Sequence, residues 1–448
     1  MNAAPKIQGW CPGALRPMRS GDGLLLRAKT LQPRLSSQQA REIAGIARDC
    51  GNGLVDLSQR AQLQLRGVSE ARLEEAQQRL AALGLPAKDA ATESVLNFLV
   101  SPFAEAWTRD LVARLAQALT KDPVLLALPG KFGFLVDDGG ALGLAASAMD
   151  IRFEAHRGEI AVVADGARDH AFLAKPDAAA EIGLALARAF LALREGREFE
   201  LRRMRSVIAA FGLGALASEA GLTPQPYRSL CHEASAADIF GVRPQTKRAR
   251  ALSEQSEARG FGEESLAGIG APYGRLRADE LAALADLADA HGFGELRLTP
   301  WRALLLPCPA EQAARSLIGA AAGRSLIVEA NDPRLAVIAC PGAPECPQAL
   351  APTRALGERL APLAAPLAPS GARLHISGCA KGCAFPAAAK VALTATPRGF
   401  DLIDDGRASD APTLRGLGVA EIENALEARI GRATIEEPPC PAKSRPAH

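Results

Sequence analysis

Two stretches of this sequence carry most of its chemistry: AVIACPGAPEC (residues 336–346) and HISGCAKGCAFP (residues 375–386). They place Cys340 and Cys346 in a Cys-x5-Cys loop and Cys379 and Cys383 in a Cys-x3-Cys loop, with 32 residues between the pairs. Each loop follows an apolar, strand-like run, Leu335–Ala339 and Leu374–Ile376, so the spacing predicts thiolates at strand ends, where side chains converge. Gly342, Gly378 and Gly382 let backbone N–H groups approach sulfur closely, and Pro341, Pro344 and Pro386 stiffen the loops. Structural zinc is the competing use of four cysteines, but its knuckles are usually shorter than x5. Unligated thiols are the third possibility. The pattern favours a [4Fe–4S] cubane on Cys340, Cys346, Cys379 and Cys383.

Outward from the cysteines, the chain shows a repeat. The helix-forming run after Ser36–Ser37 is followed by Gly51 and Gly53, and then by leucines at 57, 63 and 65. A shift of 241 positions brings these onto Gly292, Gly294, Leu298, Leu304 and Leu306 without a gap, behind a helix expected to be capped by Asp279. Chance similarity of two helix–strand–strand–helix units is the alternative. Between the copies, strands are expected at 124–128, 133–136 and 159–164, and one long helix over 178–208. Gly212-x-Gly214-x-x-Ala217 follows a helical pattern rather than a strand, so it reads as a helix end and not as a dinucleotide fingerprint.

Composition narrows the function classes. A net charge of +2 gives no bulk field for a nucleic-acid partner. No apolar run reaches bilayer length and the N-terminus carries no signal-peptide pattern, so a cytoplasmic location with no membrane partner is expected. Nine cysteines in a reducing compartment are not a disulfide framework. Cys11, Cys50, Cys231, Cys308 and Cys440 stand alone and read as free thiols of core or loop. The six histidines show no metal-ligand spacing, and His375 reads as a strand histidine near the second cysteine loop.

The x5/x3 cysteines and the repeat resemble the sulfite and nitrite reductase superfamily. There, a pseudo-twofold pair of ferredoxin-like halves carries siroheme against a cluster. Leu57–Val68, Leu128–Phe132 and Asn97–Pro102 resemble three further stretches of that superfamily. The opening, Gly9-Trp10-Cys11-Pro12-Gly13-Ala14 through Gly23, is similar to its precorrin-3B synthase branch. The resemblance implies an α+β nitrite/sulfite reductase-like fold. It divides into a first ferredoxin-like half (1–90), an α/β domain (91–245), a second half (246–325), a cluster domain (326–432) and a disordered tail (433–448).

It also implies that Lys29, Arg60 and Lys131 hold the carboxylates of a tetrapyrrole, since charge-assisted contacts suit carboxylates. Leu96, Gly130 and Gly133 replace basic residues of the reductases, which thins the clamp and argues against resident siroheme. The implied activity is an O2-dependent monooxygenase that hydroxylates precorrin-3A at C20 with γ-lactone formation. It would be fed electrons by an external reductase, and a mononuclear non-haem iron would join the cluster without recognisable ligands here. A siroheme nitrite or sulfite reductase is the alternative, and a pure electron carrier is the rival from another class.

Overall fold

The computed structural model describes residues 11–85, 88–103, 106–244, 265–367 and 373–436. Gly9 and Trp10 of the opening motif, Cys440 and tail residues 437–448 lie outside it. Residues 433–436, expected in the tail, close the last helix, Val419–Glu436. The chain divides into two compact units, Ile7–Ala330 and Asn331 onward.

The first unit holds the repeat. Ser37–Cys50 and Ala278–His291 are its paired helices. The strands Leu54–Leu57 and Leu63–Val68 have counterparts in Glu295–Leu298 and Ala303–Cys308. The register repeats as well. Ala28 stands opposite Leu63 in one sheet, and Ile269 opposite Leu304 in the other, each displaced by the same 241 positions. Each sheet is completed by a short strand from the other half: Arg275–Arg277 pairs with Leu54–Asp56, and Arg34–Ser36 with Glu295–Arg297. The exchange is reciprocal down to single hydrogen bonds. Ser37 N donates to Gly294 O and Ala278 N to Gly53 O, both at 2.8 Å. The two helices bury Ile43, Ile46, Leu281 and Leu284 in one shared core. This satisfies both amphipathic faces at once.

Ser36 caps the first helix in a box with Gln39, and Gly51 after it is extended. It is needed because a Cβ there would lie 2.4 Å from Arg66 O. The left-handed residue is Gly53 (φ +76), as is Gly294 (φ +66) in the second copy. The second helix starts at Ala278, with Arg277 rather than Asp279 as its N-cap and Arg277 N donating to the Glu280 carboxylate at 2.7 Å.

The rest of this unit is a six-stranded sheet running from Gln225–Pro226 through His170–Ala174, Glu159–Ala164, Ile151–His156 and Phe134–Asp137 to Phe98–Val100. Two expectations fail here. The apolar run at 124–128 is a 3-10 turn, Leu125–Ala127, initiated by Val124 N on the Asp122 carboxylate. A short apolar run without alternation suits either state, and the capping acid decides it. The long helix is two, Ala179–Leu193 and Met204–Ala220. The break falls at Gly196 (φ +74), and the second helix begins on Asp150, whose carboxylate accepts from Met204 N at 2.9 Å. Gly212 (φ +80) then interrupts that second helix, far from any strand end.

The second unit is a five-stranded sheet, ordered Val337–Ala339, Leu374–Ser377, Ala389–Thr396, Gly399–Gly406, Leu414–Leu417. Thr353–Ala364 and Val419–Glu436 are its helices. No described helix of either unit is long and apolar enough to cross a membrane.

Candidate functional site

In the first unit, cationic side chains gather at one end of the first half. Alternation along Gly23–Ala28 sends Leu24, Leu26 and Ala28 into the core and Arg27 to the other face. The turn after Leu57 closes by Ser58 N on Gln62 O and by Ala61 in the left-handed region (φ +52), and it presents Arg60. Arg60 Nη2 donates to Lys131 O at 2.8 Å, tying that turn to the Leu128–Phe132 loop. The Gln64 amide oxygen accepts from Arg27 Nε at 3.1 Å. One nitrogen of each guanidinium, Arg27 Nη1 and Arg60 Nη1, is buried without a hydrogen-bond partner. An unsatisfied buried donor costs about 1–3 kcal/mol, so both are poised for an acceptor from outside the protein.

Lys29 is differently employed. Its ammonium donates to Glu93 O at 2.6 Å and to Asn97 Oδ1 at 3.0 Å, and Asn97 in turn donates to Ser94 O and Phe132 O. Burial, with Arg27 beside it, pulls the Lys29 pKa from its ordinary 10.5 to about 8. Gly133 has no room for the lysine of the reductases, because a Cβ would sit 2.8 Å from Met149 Sδ and 3.0 Å from Asn97 O.

Cys11, read from sequence as an isolated thiol, belongs to this cluster. Its segment is fastened by its backbone: Ala14 N and Leu15 N donate to the Glu93 carboxylate at 2.7 and 3.0 Å, and Arg27 N donates to Gly13 O at 3.3 Å. A Cβ at Gly13 would lie 2.2 Å from Glu93 Oε2, so any larger residue there would have to push that carboxylate aside. Burial alone would push the Cys11 thiol up. Arg27, Arg60 and Lys131 outweigh it and leave the group below its ordinary value. Cys11 lies in the stretch that carried the branch resemblance, and that was the available signal. Cys50 and Cys308 are core thiols as expected. Cys231 lies near Asp137 and Glu154, which add to the effect of burial and raise its thiol.

The cysteine loops lie wholly in the second unit. Val337–Ala339 and Leu374–Ser377 are parallel neighbours, with Ala339 opposite Ile376, so both loops leave the same sheet end. Cys340 N donates to Ile376 O, and Gly378 N donates to Cys340 Sγ at 3.2 Å. Gly378 is a close-approach glycine, for a Cβ there would meet Ala349 at 2.6 Å. Gly342 (φ +75) and Gly382 (φ +61) take the turns, and Cys346 N donates to Gly342 O. All four cysteines are free. Burial raises the thiols of Cys379 and Cys383, and each also feels Cys340 and Cys346, so the four sulfurs share one neighbourhood. Among the described residues no three His, Cys, Asp or Glu side chains gather as a single-ion site. His375 is buried in its strand and edge-on to Phe385, with ring centroids 5.9 Å apart.

Comparison with known proteins agrees with these features. The family model for the nitrite/sulfite reductase ferredoxin-like half domain matches residues 16–83 and 262–320, the two copies of the repeat. A precorrin-3B synthase from Sinorhizobium sp is 30% identical over 95% of this chain and 88% of its own. The chain belongs to the precorrin-3B synthase branch of the nitrite/sulfite reductase superfamily. A ferredoxin–nitrite reductase of Synechococcus elongatus is 25% identical over 80% of this chain and 73% of its own. The Mycobacterium tuberculosis NirA protein shares the fold, with a TM-score of 0.68 at 17% identity, covering 94% of this chain and 82% of that one.

Within this family frame, the three basic residues singled out from sequence do lie in one unit, but in unequal roles. Arg60 keeps an open donor, Lys131 is half-buried beside it, and Lys29 already holds two acceptors. More cations gather here than the sequence suggested. Arg27 contributes a second open guanidinium. Arg203, paired with Asp150 at 3.0 Å, lies near Arg60, which feels both charges of the pair.

Proposed function

We propose that the chain is the cytoplasmic, oxygen-dependent monooxygenase of aerobic cobalamin biosynthesis that converts precorrin-3A to precorrin-3B, hydroxylating C20 with closure of a γ-lactone. The observation that carries this reading is the similarity to a precorrin-3B synthase across 95% of the chain, joined to a basic cluster with two unpartnered guanidinium nitrogens. Arg27, Arg60 and Lys131 bind substrate carboxylates and fix the macrocycle's orientation, while Lys29 and Asn97 hold the pocket wall. A [4Fe–4S] cluster on Cys340, Cys346, Cys379 and Cys383 supplies electron transfer when bound. The described residues build no cradle for a mononuclear iron, and no step is assigned to one. Electrons come from a separate reductase.

The test is turnover of precorrin-3A under heavy-isotope dioxygen with an added reductant. Product carrying the label supports the reading, and unlabelled product or none overturns it. The second reading is a siroheme-dependent nitrite or sulfite reductase. It is favoured by the nitrite reductases among the relatives, and Arg27 beside Arg60 supports it by supplying a further cation for siroheme carboxylates. A visible spectrum of the purified chain separates the two, because stoichiometric siroheme bands would select the reductase.

A further inference from the structure

The stretch Met204–Ala220 carries no charge between Ser206 and Ala217, yet Ala209, Ala210, Phe211 and Gly212 are exposed. A helix that is apolar on every side belongs under cover. Gly214 is helical, and a Cβ on it would meet nothing within 4 Å, so no neighbour in its own chain accounts for a glycine there. The loop before this helix carries Phe199, which is 86% exposed, with Arg202 over its ring at 4.6 Å. Arg197 of the same loop lies over Phe211 at 5.6 Å and is paired with Glu200 at 3.1 Å. Arg202 forms no ion pair among the described residues. At Arg194, Glu195 and Glu198 that loop also borders an open cleft of about 720 Å³, whose apolar wall includes Val124, Ala189 and Ala220. Of the cleft's cations, Arg188 is paired with Asp122 at 2.9 Å, and Arg194 is buried and donates to Glu198 O at 2.6 Å. Its carboxylates Glu195 and Glu219 form no ion pair among the described residues.

We propose that this face joins two copies of the chain, with Phe199 of each copy seated in the cleft of the other and Arg202 beside Glu219 across the contact. The projecting side of the loop is aromatic and cationic, and the recessed side is apolar and anionic. The two complement each other but do not meet within one chain, since Phe199 stands in solvent. A surface that carries both a feature and its complement is what a twofold contact requires, because each copy then gives and receives the same side chains. The apolar exposure marks the place, and the charges around it set the orientation. Those charges also choose the occupant: Glu195, Glu198 and Glu219 would repel an anionic lipid surface, whereas they attract the Arg202 of a second copy. The contact uses neither the cysteine loops nor the basic cluster of the first half, so it stands apart from the proposed activity.

Sedimentation equilibrium of the full chain over a wide concentration range is the test, and a monomer–dimer equilibrium is the expected result. Phe199→Ser should raise the dimer dissociation constant by about tenfold or more, because it removes the buried aromatic anchor from both sides of the contact. Arg202→Glu and Glu219→Arg should each weaken the dimer severalfold by setting like charges against each other. The two together reverse the pair and should restore most of the lost affinity, a recovery that only a contact between these two residues of different copies gives. Phe199 already faces solvent, so the thermal midpoint of Phe199→Ser, measured where the chain is monomeric, should match that of the wild type and show that the fold is kept. A chain that is monomeric at every concentration overturns the proposal, even if it binds another protein or a vesicle. A dimer indifferent to Phe199→Ser, or a double reversal no tighter than the single ones, overturns it as well.

Discussion

The two halves of the repeat have the same backbone and opposite interiors at one place. Arg27, Lys29 and Arg60 of the first half correspond, 241 positions on, to Gly268, Gly270 and Trp301. Even the left-handed turn residue recurs, Ala61 at φ +52 and Arg302 at φ +59. In the first half the segment crossing beside Arg27 is Cys11–Ala14, and the space between holds charges. In the second half, Ile239–Phe240 crosses beside Gly268 so closely that a Cβ would lie 1.7 Å from Ile239 O. At Gly270 a Cβ would meet the Phe240 ring at 2.7 Å and Ile327 at 3.0 Å. One half therefore lines this place with charged side chains, and the other fills the equivalent place with its own apolar chain. A fold repeated twice need not carry the same side-chain chemistry twice, because that chemistry depends on what crosses the strand and not on the strand.

The largest expected effects come from the features that separate regions. Cys379→Ser or Cys383→Ser should abolish the cluster or leave it severely disturbed, since a cubane needs its four thiolate ligands. Iron and sulfide analysis checks this, and a full cluster in both variants would remove the ligand assignment. The same assay should find iron unchanged in Arg60→Gln, which touches only the pocket. Next in size, Gly268→Ala should destabilise the chain by about 3 kcal/mol, the upper range for overpacking, because the obstacle is a backbone carbonyl and not a side chain that can turn away. Thermal or denaturant melts read it. An unchanged midpoint would mean that the second half is not closed.

Smaller again is the loss of one pocket contact. Arg60→Gln should weaken uroporphyrin binding by about 1.5–3 kcal/mol, the worth of a charge-assisted hydrogen bond. Trp301→Phe, at the equivalent position, should leave that binding unchanged. Equal losses in the two variants would show that the halves share the ligand and would erase the distinction drawn between them.

How much of this was legible in sequence follows from the range over which each feature acts. The repeat was visible because leucines at 57, 63 and 65 and at 298, 304 and 306 serve period-two strands, and strand alternation is written locally. The cysteine loops were visible because thiolate pairs at strand ends leave a spacing. The exchanged edge strands were not, since three residues at Arg34–Ser36 and three at Arg275–Arg277 are too short to show any period, and their partners are more than two hundred positions away. Arg27 and Cys11 were missed for a related reason. Each is ordinary in its own segment, and only the crossing of Cys11–Ala14 over the strand makes them neighbours. The loss of a lysine at Gly133 was legible as a change, but its cause, the packing of Met149 and Asn97, was not.

The smallest predicted effect concerns Lys29, whose counterpart Gly270 has no charge to titrate. Its folded pKa of about 8 lies below its ordinary 10.5, because burial beside Arg27 disfavours the ammonium more than Glu93 supports it. Between about pH 8 and 10.5 the unfolded chain therefore holds more protons at this site than the folded one, and stability contributed by the group rises with pH. Below pH 8 both states are protonated and the full cost of burying the charge is present. The direction is opposite to that of a lysine gaining a salt-bridge partner. Lys29→Met, which keeps the length of the side chain but cannot titrate, should cancel the term. The difference in unfolding free energy, wild type minus variant, should be flat from pH 6 to about 8 and then move in favour of the wild type up to pH 10. Cys11 acts on Lys29 directly, so its removal by Cys11→Ser should lower the starting point of the rise. A difference that is flat throughout, or one that falls with pH, would mean that Lys29 is held as a well-paired ammonium and that the first half's pocket wall is as settled as the apolar plug of the second.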